Sequence, residues 1–318
     1  MKKLLLPILF ILLIGCEKEE VNPQVDNPEV AVLSELIKTD FGGMEFNAQK
    51  ANDHFIVEGD ILIPGNVNAR VHQPGEKPKS AALLNGFWQD NTVYYAIDPF
   101  LPNKYRVNDA IEHWEEHTNI KFVERTSERD YVYFTTGNGC ASYLGKIGGG
   151  QKITLARGCS TGNAIHEIGH AIGLWHEQSR SDRDEYVTVH YDNVIEGYEY
   201  NFQNFSDSFM TPNGQNLTDK LDFPSIMMYS AYSFSKNGLP TITKLNGDLY
   251  YTQRSGLSPG DIEGVNKIYP EIGEPEYING KWYTIHGLTV LRFYNQWFYS
   301  GRYGMKGVVL INGIWFYR

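Results

Sequence analysis

The eleven residues from His166 to His176 (HEIGHAIGLWH) constrain this chain more than any other stretch. His166 and His170 are four apart, which on a helix places them on one face, a turn from each other. Imidazoles so placed can converge on one ion, and neutral imidazole is a good ligand for Zn²⁺. Glu167, beside the first histidine, can reach a water at such an ion without binding the ion itself. Gly173 lets the chain leave the helix, and three residues on His176 can swing back as a third ligand. Three protein ligands leave one position for water, which is the pattern of a catalytic zinc site rather than a structural one. A second cluster, His113-Trp114-Glu115-Glu116-His117, fits the inverted H-x-x-E-H pattern. It falls in a segment where Val107, Ala110, Ile111 and Trp114 recur at helical spacing, and no third ligand turns back nearby, so the polar flank of a helix is expected there.

The rest of the chain bounds what surrounds that site. Its 318 residues have room for a prosegment, one catalytic domain and a small appendage. A net charge of −10 argues against a nucleic-acid partner, which needs a basic face. The leader has a basic start at Met1-Lys2-Lys3, an apolar core from Leu4 to Ile14, then Gly15-Cys16. A small residue before a cysteine resembles a bacterial lipobox, in which Cys16 would become the lipidated first residue. An ordinary signal peptide is the alternative. If Cys16 carries lipid, Cys140 and Cys159 remain as an even pair in an exported chain, which points to a disulfide rather than two free thiols.

Residues 17–80 divide into a Pro-, Asn- and Glu-rich tether up to about 33 and a mixed segment that ends in the cleavable-looking HQPGEKPKS. From Ala81 onward, strands are expected at 93–97, 120–123, 131–134 and 152–155, with helices over 105–118, 161–172 and from Ser258-Pro259, with Asp261 as the acid of a capping box, up to Pro270. Strands early, helices late and no regular alternation indicate an α+β domain over 81–272 rather than a parallel-sheet fold. Residues 273–318 repeat an Asn-containing turn before a Trp-aromatic run, at Trp282, Trp297 and Trp315. That pattern reads as a small all-β module, its tryptophans forming either a mutually packed core or a binding surface.

At this point a family resemblance becomes specific. HEIGHAIGLWHEQSRSDRDEYV (166–187) resembles the extended signature of the astacins, HExxHxxGxxHExxRxDRD, and Ser225-Ile226-Met227-Met228-Tyr229 resembles their Met-turn, with Met228 where a histidine is usual. The likeness extends through 139–159, 234–242 and 257–269, and so covers roughly 81–270; the cysteines of the family's second disulfide are missing. It implies a metzincin fold: a twisted, mainly antiparallel sheet and an active-site helix above the cleft, with an irregular lower part that carries the Met-turn.

The resemblance also implies roles. His166, His170 and His176 would bind one zinc ion, Glu167 would be the general base, Met227 the apolar floor, and Tyr229 a switchable ligand that stabilises the oxyanion. Val57-Glu58-Gly59-Asp60 resembles the prosegment motif Phe-x-Gly-Asp, in which Asp60 would occupy the water position on zinc; a plain turn is the alternative. Glu177 would receive the mature amino terminus, generated near Ser80–Ala82. The expected protein is a monomeric zinc endopeptidase acting on proteins or peptides, held at the cell envelope by its lipid as a precursor and secreted after processing. The rival is a surface binding lipoprotein whose protease domain is degenerate.

Overall fold

The computed structural model describes residues 36–41, 44–51, 53–65, 87–204, 217–273, 278–285, 287–294, 296–302, 304–311 and 314–317. The leader with Cys16, the tether and the expected cut near 80 lie outside the described residues. The described residues up to Ile268 form one compact unit and those from Tyr269 a second.

The first unit opens with four strands that the sequence reading did not anticipate: β1 (Leu36–Phe41), β2 (Met44–Lys50), β3 (His54–Val57) and β4 (Ile61–Pro64). They form an antiparallel meander. The expected strands and helices follow, together with one strand that was not expected, β8: β5 (Thr92–Ile97), α1 (Tyr105–His117), β6 (Lys121–Glu124), β7 (Tyr131–Thr135), β8 (Cys140–Tyr143), β9 (Gly150–Leu155) and α2 (Thr161–Ala171). All nine strands share one sheet, in the order β1-β2-β3-β4-β8-β9-β7-β5-β6.

Strand direction corrects one expectation. The class is α+β, but the sheet is not mainly antiparallel. β5 runs parallel to both β6 and β7, β7 parallel to β9, and β4 parallel to β8, while β8–β9 and the meander are antiparallel. The cause is connectivity. α1 carries the chain from β5 back to the start of β6, and a strand–helix–strand crossover of this kind returns the chain in the same direction.

The active-site helix is fixed at both ends. At its start Ser160 and Asn163 form a reciprocal capping box: the Ser160 hydroxyl accepts from Asn163 N–H, and the Asn163 side chain accepts from Ser160 N–H. At its end Gly173 takes a φ of 110°, a conformation that costs a side-chain-bearing residue far more, and the chain turns out of the helix. Two indoles grip it from outside, Trp114 Nε1 donating to Ile165 O at 3.0 Å and Trp88 Nε1 to Ala171 O at 2.9 Å. The Cys140–Cys159 disulfide ties β8 to the loop just before α2.

Below the helix, β10 (Val187–Val189) and β11 (Ile242–Lys244) pair antiparallel beside an apolar cluster that includes Phe202, Met228, Tyr229 and Tyr250. The chain then reaches α3 (Pro259–Ile268), whose start is the expected capping box, Ser258 and Asp261 each accepting the other's N–H at 2.9 Å.

The second unit is a five-stranded antiparallel sheet of β12 (Trp282–Ile285), β13 (Leu288–Phe293), β14 (Gln296–Gly301), β15 (Gly304–Ile311) and β16 (Ile314–Tyr317). Trp297 packs edge-on against both Tyr283 and Trp315, with ring centroids 5.9 Å apart in each case, so part of the aromatic repeat is a mutual core. Trp282 is half exposed.

One glycine tests how tightly α2 is seated. A Cβ at Gly162 would stand 1.7 Å from the Arg254 carbonyl oxygen and 2.6 Å from its carbon, both backbone atoms that cannot swing away. Alanine in a helix ordinarily gains up to about 1 kcal/mol over glycine. Gly162→Ala is expected instead to destabilise by about 3 kcal/mol or more, lowering the thermal midpoint by about 6 °C or more, as read by circular dichroism of the full chain. An unchanged or raised midpoint would contradict this packing.

Candidate metal centre

α2 presents His166 and His170 from successive turns, and the chain leaving Gly173 returns His176 to the same point. Nε2 of His166 lies 3.1 Å from Nε2 of His170 and 3.2 Å from Nε2 of His176. Asp60, at the turn between β3 and β4, faces them: its oxygens lie 3.3 Å from Nε2 of His166, 3.5 Å from that of His170 and 3.3 Å from that of His176. These four residues are the one group among the described residues whose His, Cys, Asp or Glu donor atoms gather to hold a metal ion.

Which ring nitrogen carries the proton decides whether this is a ligand set. Nδ1 of His166 donates to Ile226 O at 2.7 Å, Nδ1 of His170 to Leu174 O at 2.7 Å, and Nδ1 of His176 to Glu58 Oε2 at 2.8 Å. Each acceptor holds the hydrogen on the outer nitrogen, so every Nε2 offers its lone pair to the centre. Three lone pairs and a carboxylate aimed at one point repel one another unless a cation sits between them. The donor set, three imidazoles and one carboxylate oxygen, fits zinc.

The electrostatics agree. Burial drives His166 down to about 3, which keeps it neutral. Burial raises the Asp60 carboxyl, but the three imidazoles around it outweigh that and hold it well below the usual range. His176 moves the other way, to about 9, because Asp60 and Glu58 outweigh its burial. Negative groups that favour a proton there favour a dication at the centre more strongly.

The remaining candidates fall around this centre. Glu167 is buried on α2 beside His166. Met227 lies beneath the helix, its sulfur 2.7 Å from where a Cβ on Gly169 would stand, so a larger residue at 169 would push the methionine side chain aside. The Met-turn is pinned from two sides. Asp261 accepts from the Ser225 hydroxyl at 2.6 Å and from Ile226 N–H at 2.8 Å, and Met227 O accepts from Glu177 N–H at 3.1 Å. The Tyr229 ring is 4.5 Å from that of His176, and its hydroxyl donates to the Glu58 carbonyl. Glu177 accepts from Asp222 N–H at 2.8 Å and lies near Arg180 in a cavity also bordered by Leu174, Leu217 and Met227. His113 and His117 stack on α1 away from this group; His113 Nε2 accepts from Leu257 N–H at 2.9 Å, as a helix flank would.

Sequence reasoning missed the acceptors behind the ligands. Ile226 and Leu174 act through main-chain carbonyls, which any residue type supplies, and so leave no signal. Glu58 and Ser179 are brought to His176 only by the fold: the Ser179 hydroxyl donates to the other Glu58 carboxylate oxygen.

The sequence profile of the astacin peptidase family matches residues 81–270. Among curated relatives, Blastula protease 10 of Paracentrotus lividus is 40% identical over 210 residues, covering 61% of this chain and 34% of that protein. Bone morphogenetic protein 1 of Xenopus laevis is 37% identical, over 63% of this chain and 29% of that one. The chain thus spans about a third of the length of such relatives. Astacin-like metalloprotease toxin 1 of Loxosceles intermedia is matched more completely, 33% identical over 71% of this chain and 87% of the toxin. Among solved structures, the hatching-enzyme zinc protease high choriolytic enzyme 1 of Oryzias latipes superposes with a TM-score of 0.53 at 34% identity, over 57% of this chain and 94% of that one. With the profile matching more than half of the chain, including all three histidines of the metal centre, the chain belongs to the astacin family of zinc peptidases.

Proposed function

We propose that this chain is the latent precursor of a zinc-dependent endopeptidase that hydrolyses internal peptide bonds of proteins. The observation that carries the reading is the convergence of three lone-pair nitrogens on one point with the Asp60 carboxylate in the fourth place. One chain supplies every member of the group, which supports a monomer as the working unit. His166, His170 and His176 would hold the ion. When bound, zinc polarises the scissile carbonyl and acidifies water.

The chain's own groups do the rest. Glu167 takes the proton of the attacking water and passes it to the leaving amine, so no covalent intermediate is needed. The Tyr229 hydroxyl, once it leaves the Glu58 carbonyl, donates to the developing oxyanion. Strand β8, now between β4 and β9, would become an edge once β4 leaves and would then offer main-chain donors and acceptors to an extended substrate.

Latency and activation belong to the same reading. Asp60 fills the position that water needs. Cutting near Ser80–Ala82 would free the prosegment and create a new amino terminus, for which Glu177 is the partner. Burial pushes the Glu177 carboxyl up to about 8 although Arg180 opposes this, so an incoming ammonium would meet a carboxyl in need of a second cation. The leader adds an anchor: Cys16 lipidation would hold the precursor at the envelope, and the same cut would release the secreted enzyme. That part stands on the leader sequence alone. The rival, a binding lipoprotein with a spent site, fits poorly with a complete ligand set, base and Met-turn; casein digestion with and without a zinc chelator separates the two.

Two variants test the mechanism. In the processed enzyme, Glu167→Gln is expected to retain zinc by elemental analysis while peptide turnover falls by about 10²- to 10⁴-fold, and undiminished turnover would remove Glu167 as the base. In the uncleaved precursor, Asp60→Asn is expected to raise turnover at least tenfold over the wild-type precursor, read with a quenched fluorescent peptide. A wild-type precursor as active as the processed enzyme would end the latent reading.

A further inference from the structure

The three ligand histidines do not have equivalent support. His166 and His170 donate their outer N–H to carbonyls of the catalytic domain, Ile226 and Leu174. His176 donates to a carboxylate, and that carboxylate belongs to the prosegment. Glu58 is 1% exposed, and its two oxygens are divided between His176 Nδ1 and the Ser179 hydroxyl. Its main chain is held in the left-handed region, φ 51°, where a residue with a Cβ pays a conformational cost. Its carbonyl accepts the Tyr229 hydroxyl. One residue thus engages the back of the third ligand and the hydroxyl assigned to the oxyanion, while Asp60 two positions on faces the front.

A carboxylate behind a ligating imidazole fixes the ring's tautomer and orientation and makes the inner nitrogen a stronger donor; loss of such a partner typically costs 10- to 100-fold in metal affinity. We propose that Glu58 is a positioning residue supplied in cis by the prosegment: it completes a carboxylate–His176–metal relay that exists only in the precursor, so the precursor holds its zinc more tightly than the catalytic domain's own groups would, and the excised segment takes that support away. The prosegment is then a loading device for the metal as well as a plug. The inference rests on the latent-precursor reading and adds to it a role that Asp60 cannot perform.

The test uses the full-length precursor with zinc or cobalt(II) bound. Glu58→Gln keeps the size of the side chain and one acceptor but removes the charge behind His176. Zinc transfer to a chromophoric chelator is expected to run about tenfold faster than in wild type, and the cobalt(II) ligand-field bands are expected to shift. Ser179→Ala, which removes the hydroxyl that orients the Glu58 carboxylate towards His176 and leaves Asp60 untouched, is expected to accelerate release to a smaller extent and decides the matter if Glu58→Gln does not fold. Zinc release and cobalt bands unchanged from wild type in the folded Glu58→Gln precursor, or in Ser179→Ala if that is the variant that folds, would overturn the proposal. That result, with Asp60→Asn still activating the uncleaved precursor, would remove the relay and spare the latent reading. A wild-type precursor already fully active would instead remove the latent reading, whatever the release rates.

Discussion

The outer hydrogen bonds of three imidazoles are the constraint from which the rest of this architecture follows. An imidazole can ligate only through an unprotonated nitrogen, so the protein must decide for each ring where the proton sits. Ile226, Leu174 and Glu58 make that decision at 2.7, 2.7 and 2.8 Å. Two of these acceptors are main-chain carbonyls whose positions depend on a turn. Leu174 O is placed by the reversal at Gly173. Ile226 O is placed by the Met-turn, which Asp261 at the start of α3 clamps through two further hydrogen bonds. A helix far downstream of the ligands in the sequence therefore helps to set the tautomer of the first one. The large buried anchors around α2, Trp88 and Trp114, keep the helix from moving against that clamp.

Strands β1 to β4 meet this centre as part of the sheet rather than as a loose strap. β4 lies parallel to β8, with Ser142 N–H donating to Asp60 O at 3.0 Å, and Val57, Ile61 and Ile63 join Leu144 and Trp175 in one buried cluster. Main-chain pairing fixes register, and register fixes which residue of the β3–β4 turn reaches the histidines. A one-residue slip would put Gly59 or Ile61 at the centre instead of Asp60. In the latent precursor proposed above, Asp60 is held at the histidines mostly by apolar burial and strand pairing at a distance, and the carboxylate needs only to be delivered to the right place.

How much of this was legible in the sequence depends on the range of the interaction. The HExxH spacing, the amphipathic run through Trp114 and the capping box at Ser258 are local, and the helices lie within a residue or two of where those signals place them. The disulfide was reachable by counting cysteines. Strand direction was written in the order β5–α1–β6 but is easily overlooked when strands are counted by class. Strands β1 to β4 were illegible because 36–64 lacks clean alternation: β4 is buried at three successive positions, so both of its faces are covered. Glu58 was the least legible of all. Its partners are 118 and 121 residues away, and nothing local distinguishes it from any glutamate in a turn.

That turn also explains why a peptide lying in a peptidase site would survive there. Val57 pairs with Ile61, so Glu58, Gly59 and Asp60 are a three-residue hairpin loop, with Glu58 and Gly59 at φ 51° and 85°. Each of the three addresses a different wall: Glu58 the back of His176, Gly59 the ring of Phe234, and Asp60 the inner nitrogens. An edge strand binds a substrate by main-chain pairing to an extended segment, which brings a flat, stretched amide to the metal. Here the Asp60 carbonyl takes the first main-chain bond from β8, and the backbone before it is coiled into a left-handed turn at Glu58 and Gly59. No extended amide is presented to Glu167, and the Tyr229 hydroxyl is already committed to the Glu58 carbonyl. On the proposed latent reading, the segment would be a poor substrate for the same geometric reason that it would be a good plug: its side chains, not its peptide bonds, face the three histidines.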